Sequence, residues 1–149
     1  MRQSLDLLLT REGVDAARIA FVGHDFGAMF GALMASADQR PKVWVLMAAV
    51  PTLAEWYRLG KDKLPDAEGY AATLGLYSIT DGLAKLSGKD LLFQFATRDH
   101  YVPEAKALAF IGAAPGPKTA AFYDADHDLA VPAATAERNA WLLTHLNVE

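Results

Sequence analysis

Three side chains of this sequence have the types and positions needed for covalent hydrolysis: two carboxylates and an imidazole. Asp25 lies at the centre of a Gly-x-Asp-x-Gly turn, between an apolar β-prone run and an Ala- and Met-rich helical pattern. A side chain on such a sharp strand-to-helix turn is held above a sheet, where it can attack a substrate. Asp99 and His127 each follow a later β-prone run. They are candidates for an acid that orients an imidazole base.

The elements that must position these residues alternate between strand and helix patterns. Continuous apolar runs predict strands at residues 18–22, 43–48, 91–96 and 119–123. Helical patterns follow at residues 26–37, 103–112 and 133–146. This order predicts an α/β protein with a mainly parallel sheet of about four strands flanked by helices. Because the carboxyl ends of parallel strands open onto one crevice, we expect Asp25, Asp99 and His127 to converge there.

The segments around these residues resemble the C-terminal half of an α/β-hydrolase, close to dienelactone hydrolase-like members. The matching stretches are residues 17–27, 92–103 and 123–127, and they occur in the family's order. The resemblance implies that Asp25 is the nucleophile, Asp99 the acid and His127 the base. It also implies that the backbone N–H of Phe26 is an oxyanion donor. The Gly-His-Asp-aromatic-Gly form is similar to haloalkane dehalogenases and epoxide hydrolases as well, which use an aspartate nucleophile.

The carboxylate of Asp25 favours particular reactions. A serine needs a base before it can attack a carbonyl, whereas a carboxylate is already anionic at neutral pH. Attack by a carboxylate on an ester gives a high-energy mixed anhydride. Attack on a carbon bearing a halide, or on an epoxide, gives an ester that water activated by His127 can hydrolyse. Two alternatives remain open: the scaffold has lost its nucleophile, or His127 activates water directly in a weak esterase.

Other polar residues near the candidate site have several possible roles. Asp124 and Asp126 are rivals of Asp99 for the acid, but Asp99 matches the strand-end position better. His24 and His100 are candidates for lining the substrate pocket. The histidines and acids are too scattered to suggest a metal site, so we predict neither a metal nor a cofactor.

The chain is predicted to form a single domain, residues 1–149, in which residues 51–88 are less regular. In α/β-hydrolases, the segment after the strand predicted at residues 43–48 can form a small cap over the pocket. Trp56 and Tyr57 therefore become candidates for contact with a small, apolar substrate. Ordinary packing is the alternative role for these aromatic side chains.

The resemblance also implies strands ahead of the one that leads to Asp25, and these 149 residues contain no match for them. One edge of that strand then has no obvious partner, and an open apolar edge favours pairing with another chain. We therefore expect a homodimer that completes the sheet or the site. A separate subunit carrying the missing half is a less economical alternative.

Composition excludes several classes of function. The net charge is −4 and no Lys/Arg cluster occurs, which argues against a nucleic-acid partner. The 52% of hydrophobic residues is enough for a proper core. No apolar run reaches the roughly 18 residues of a membrane span. The absence of cysteine fits a reducing compartment, so a cytoplasmic location is expected.

Overall fold

The computed structural model describes residues 2–58 and 65–148 and contains one sheet of four parallel strands. In spatial order the strands are β1 (Ala20–His24), β2 (Val43–Met47), β3 (Asp90–Ala96) and β4 (Thr119–Tyr123). The register places Val45 beside Val22 on one side and beside Leu92 on the other. The predicted parallel sheet of about four strands is confirmed. The first strand is displaced from its predicted bounds, because it begins at Ala20 and continues to His24.

Helices flank the sheet. They are α1 (Arg2–Leu9), α2 (Phe26–Ala35), α3 (Leu53–Tyr57), α4 (Ala67–Gly75), α5 (Ile79–Ala84), α6 (Glu104–Ala113) and α7 (Pro132–His145). Within the described ranges, none combines the length and apolarity that crossing a membrane requires. The segment predicted as cap-like, residues 51–88, holds α3 to α5, and its residues 59–64 lie outside the described part of the chain.

Three local signals make these short helices possible. The side chains of Thr52, Asp66 and Ser78 accept a hydrogen bond from an amide in the first turn of α3, α4 and α5 respectively. Such N-caps satisfy amides that a helix leaves without partners, and each stabilises its helix by roughly 1 kcal/mol. Capping chemistry therefore organises a segment whose hydrophobic pattern alone predicts little regular structure.

The two faces of the sheet have separate cores. One face packs against α2, α5 and α6 around the large buried side chains of Trp44, Phe93 and Phe110. The other face packs against α7 through Val45 and Leu92. β2 is buried along its whole length, as expected for a strand covered on both faces.

Close approach between α2 and the sheet depends on Gly31. A Cβ at this position would lie 2.1 Å from Cε1 of Phe21, so the Phe21 ring would have to move to admit a larger residue. At Gly27, by contrast, a Cβ would meet nothing within 4 Å.

A buried amide docks α7 onto the sheet. Gln94, in the middle of β3, is completely buried. Its Nε2 donates to Oη of Tyr123 (2.8 Å) and to the carbonyl of Ala134 (2.9 Å), and its Oε1 accepts from Nη1 of Arg138 (3.1 Å). Because both polar atoms of the amide have hydrogen-bond partners, the amide can be buried without a large desolvation cost. These bonds fix α7, the helix that follows the loop of His127.

The outer edge of β1 is open in the part of the chain that the structure describes. The carbonyl of Ile19 and the amide of Asp25 bond to the β2 side. Since backbone groups alternate in direction along a strand, those of Ala20, Val22 and His24 point away from the sheet. Val22 is 45% exposed. This edge thus presents backbone donors and acceptors beside an apolar side chain.

Candidate active site

The turn that carries Asp25 is sharp and strained. β1 ends at His24 and α2 begins at Phe26, so Asp25 is the single residue between them. Its backbone has φ 56° and ψ −121°, a region that residues other than glycine rarely occupy. Its amide donates to the carbonyl of Met47 at the end of β2 (3.0 Å). The surrounding structure therefore holds the Asp25 side chain at the carboxyl end of the sheet.

Gly23 makes this turn possible. A Cβ at this position would lie 2.5 Å from the carbonyl carbon of Gly27 and 2.7 Å from the amide nitrogen of Ala28. Both are backbone atoms at the start of α2, so a larger residue would push the helix away from the strand. The first glycine of the motif is therefore required by space.

Asp99 fixes the ring of His127. Oδ2 of Asp99 lies 2.7 Å from Nδ1 of His127, and the Asp99 side chain is only 1% exposed. Its Oδ1 accepts from the amides of Tyr101 (2.8 Å) and Val102 (3.0 Å). A carboxylate with both oxygens engaged has one orientation, and it favours the imidazole tautomer that carries its proton on Nδ1. The lone pair of His127 is then on Nε2.

Nε2 of His127 faces Asp25. The distance from Nε2 to Oδ2 of Asp25 is 3.6 Å, too long for a hydrogen bond. Both atoms are acceptors in this tautomer, which explains the gap. Among the described residues, Nε2 of His127 and Oδ1 of Asp25 are buried side-chain atoms without a hydrogen-bond partner. The structure thus brings together the three residues that the sequence singles out, and two of them have unused polar atoms.

His24 ties the strand of Asp25 to the loop of His127. Its Nε2 lies 2.8 Å from the carbonyl oxygen of His127, so this nitrogen carries the proton and donates. The two imidazole rings also meet at an angle, with centroids 5.0 Å apart. His24 therefore connects the end of β1, next to Asp25, with the loop that carries His127.

Aromatic side chains cover the site from α3. Trp56 contacts the Phe26 ring at 5.6 Å and stacks on His127 at 5.5 Å. Tyr57 contacts the Phe26 ring at 5.3 Å. The Phe26 amide is the first of α2, one of the helix amides that lack an intrahelical acceptor. Trp56 and Tyr57, suggested as substrate contacts, thus lie beside the candidate nucleophile.

The loop after Asp99 brings a tyrosine, rather than His100, against the ring of His127. The side chain of His100 is exposed. The next residue, Tyr101, approaches His127 edge-on with ring centroids 5.1 Å apart. Tyr101 was missed by sequence reasoning, and its position two residues after a strand-end aspartate was the signal that could have found it.

The rivals of Asp99 have other partners. Asp124 and Asp126 both form ion pairs with Arg98, and their side chains are largely exposed. Across residues 2–58 and 65–148, no group of three or more His, Asp or Glu side chains is placed to hold a metal ion.

Comparisons of the whole fold give esterases and other hydrolases. An esterase domain from Rhodothermus marinus is similar with a TM-score of 0.74 at 18% identity, over 97% of this chain and 68% of that one. The 2,6-dihydroxy-pseudo-oxynicotine hydrolase gives a TM-score of 0.75 at 15% identity, over 97% and 45%. The α/β-hydrolase GrgF from Penicillium sp. sh18 gives 0.73 at 12% identity, over 98% and 71%.

The chain spans less than half of the 2,6-dihydroxy-pseudo-oxynicotine hydrolase, at 45% of its length. No protein-family model matches the sequence, and neither does any of the curated proteins compared. Over the length that it shares with these solved structures, the chain has the α/β-hydrolase fold.

Proposed function

We propose that this protein is a hydrolase in which Asp25 is the nucleophile, His127 the base and Asp99 the acid that orients the imidazole. One observation carries this proposal: His127 lies between the buried Asp99 carboxylate at 2.7 Å and the Asp25 carboxylate at 3.6 Å. The hydrolase names of the structural neighbours support the reaction class. The aspartate on the turn supports a covalent route through an alkyl ester.

In the first step, a carboxylate oxygen of Asp25 attacks a saturated carbon of the substrate. A carbon–oxygen bond forms, and the carbon–halogen bond breaks as the halide leaves with the electron pair. With an epoxide, a ring carbon–oxygen bond breaks and the released alkoxide takes a proton from water, whose hydroxide passes to solvent. Carbon–halogen and epoxide substrates are favoured over esters, because attack on an ester carbonyl would give a mixed anhydride.

In the second step, His127 takes a proton from water through Nε2. The hydroxide attacks the carbonyl carbon of the Asp25 ester, and the Phe26 amide stabilises the negative charge on its oxygen. The acyl–oxygen bond breaks and the alcohol leaves with the proton from the imidazolium. The Asp25 carboxylic acid that remains then releases its proton to solvent, which restores the carboxylate. Asp99 stabilises the imidazolium during this step, as in other acid–histidine pairs.

The lining of the site favours small apolar substrates. Phe26, Trp56 and Tyr57 present aromatic surface beside Asp25. We assign α3 and α4 the role of a small cap, with α3 nearest the nucleophile. A small organic halide, epoxide or ester therefore fits the site better than a charged metabolite.

Substitution of Asp25 tests the proposal. With a panel of haloalkanes, epoxides and aryl esters, Asp25→Asn should abolish turnover of every substrate that the wild type accepts. Full activity in Asp25→Asn would refute the nucleophile and favour direct activation of water by His127. Higher ester hydrolysis in Asp25→Ser would indicate an esterase pocket with an altered nucleophile.

A second candidate function, self-assembly, is supported by the open edge of β1. A two-fold axis at Val22 would pair Ala20 of each chain with His24 of the other, so that the outward backbone groups bond across an antiparallel interface. Size-exclusion chromatography with light scattering should then give a homodimer. Val22→Lys should convert it to a monomer, since a lysine blocks edge pairing, whereas Ala120→Lys on the opposite edge should not. A wild-type monomer at micromolar concentration would refute the dimer.

A further inference from the structure

His127 is enclosed by aromatic rings from separate parts of the chain. Trp56 of α3 stacks on it, with centroids 5.5 Å apart and planes at 27°. Tyr101, from the loop after β3, meets it edge-on at 5.1 Å and 75°. Trp56 and Tyr101 also touch each other at 6.1 Å. The imidazole therefore lies against two aromatic walls in addition to its hydrogen bond with Asp99.

The aromatic contacts restrict the tilt of the His127 ring. A single hydrogen bond from Nδ1 to Asp99 fixes one point of the ring but leaves it free to tilt about the line joining the two atoms. A stacked neighbour removes that freedom, because tilting would break the face contact. Stacked aromatic pairs are stabilised beyond the area they bury. Trp56 is thus placed to keep Nε2 directed at Asp25.

Trp56 is itself held in place. Its ring meets Phe26 at 5.6 Å and 81°, next to the candidate nucleophile. The residue before it, Glu55, forms an ion pair with Lys106 of α6. Contacts on both sides of α3 therefore fix the indole over the imidazole.

We propose that Trp56 is a positioning residue for His127, which holds the imidazole with Nε2 directed at Asp25 while water is activated. The inference rests on the proposed function. Formation of the Asp25 ester needs no base, so the positioning of His127 matters for hydrolysis of that ester.

The first test uses the resting protein and needs no substrate. The fluorescence of an indole depends on the side chains in contact with it, so removal of a stacked imidazole changes the emission. Trp141 also stacks on a histidine, His145, at 3.7 Å, so the measurement is made in a Trp141→Phe background. Trp44 then contributes a constant signal, because it is buried and its Nε1 donates to the carbonyl of Pro41.

Relative to this background, His127→Gln should change the emission of Trp56, because it removes the ring that stacks on the indole. The control is His100→Gln at an exposed histidine, which should leave the emission unchanged. No change in His127→Gln, or the same change in both variants, would overturn the stack.

The second test separates the two chemical steps. Single-turnover mass spectrometry with a haloalkane follows the formation and decay of the alkyl adduct on Asp25. Trp56 also lines the substrate site, so its loss affects both steps, but only decay depends on His127. Relative to Trp141→Phe, additional Trp56→Leu should therefore slow decay about threefold to tenfold more than it slows formation. Trp56→Phe, which keeps an aromatic face, should recover part of this difference.

The outcomes distinguish the positioning role from the function on which it rests. Equal slowing of both steps in Trp56→Leu would make Trp56 a substrate-binding residue only, and no slowing would leave it without a role; either result overturns the inference alone. Absence of an adduct in every variant would refute the proposed nucleophile and, with it, the positioning role. The fluorescence difference would then remain as evidence of the contact only.

Discussion

Replacement by alanine should lower the stability of the fold at Gly23 and raise it at Gly27, the two glycines of the turn that carries Asp25. In Gly23→Ala the new methyl would lie 2.5 Å from the backbone of Gly27, where ordinary contacts begin at about 3.4 Å. The start of α2 must then move by about 1 Å, because backbone atoms cannot rotate away as a side chain could. Overpacking of this kind lowers the free energy of unfolding by about 1–3 kcal/mol, and we expect about 3 kcal/mol here because the Gly27 backbone is rigid. For a chain of this size the expected fall in Tm is about 6–12 °C.

Gly27→Ala is the matched control. Its methyl would meet nothing within 4 Å, and the position lies in the first turn of α2. Replacement of a helical glycine by alanine stabilises by about 0.5–1 kcal/mol, so Tm should rise by about 1–4 °C. Thermal and urea unfolding followed by circular dichroism measure both changes. Equal tolerance of the two alanines, or greater damage at Gly27, would refute the close approach at Gly23.

Three further predictions concern other parts of the molecule. Asp99→Asn should keep the fold but place an amide against the imidazole, and the His127 ring proton should then move to Nε2. Decay of the Asp25 adduct, measured by intact mass spectrometry, should slow by a factor of about 10³–10⁴. Gln94→Leu should cost about 1–3 kcal/mol in urea unfolding, because it strips hydrogen bonds from the buried Ala134 carbonyl and from the half-buried Tyr123 and Arg138. Hydrogen bonds from the Arg40 guanidinium hold the pKa of Asp38 below its ordinary value. A carboxyl group whose pKa is lowered by folding stabilises the folded state above its unfolded pKa, and this contribution is lost as pH falls through the folded pKa. Asp38→Asn should therefore lower the urea midpoint near pH 7 but not in acid, at about pH 2.

The centre of the sheet was predictable because its two inner strands are buried. A strand covered on both faces is typically a continuous apolar run in the sequence, and Val43–Met47 is such a run. The parallel arrangement then follows from the helices between the runs. The same logic predicted that Asp25, Asp99 and His127 share one edge, because strand ends of a parallel sheet open onto a single crevice.

The remaining contacts depend on packing that the sequence does not encode locally. Gln94 is polar within an apolar run, and only the tertiary structure supplies Tyr123, Ala134 and Arg138 as its partners. The contact of His24 with the carbonyl of His127 joins residues far apart in the chain. Such pairings depend on loop paths, which strand periodicity does not determine.

The central claim is that Asp25 is alkylated during turnover. A single turnover of a haloalkane or epoxide in water labelled with heavy oxygen tests it directly. If Asp25 forms the ester, the heavy isotope should enter the Asp25 carboxylate, and the first alcohol released should carry ordinary oxygen from the protein. Heavy oxygen in the first product, with an unlabelled Asp25 peptide, would contradict the claim and show that water attacks the substrate directly.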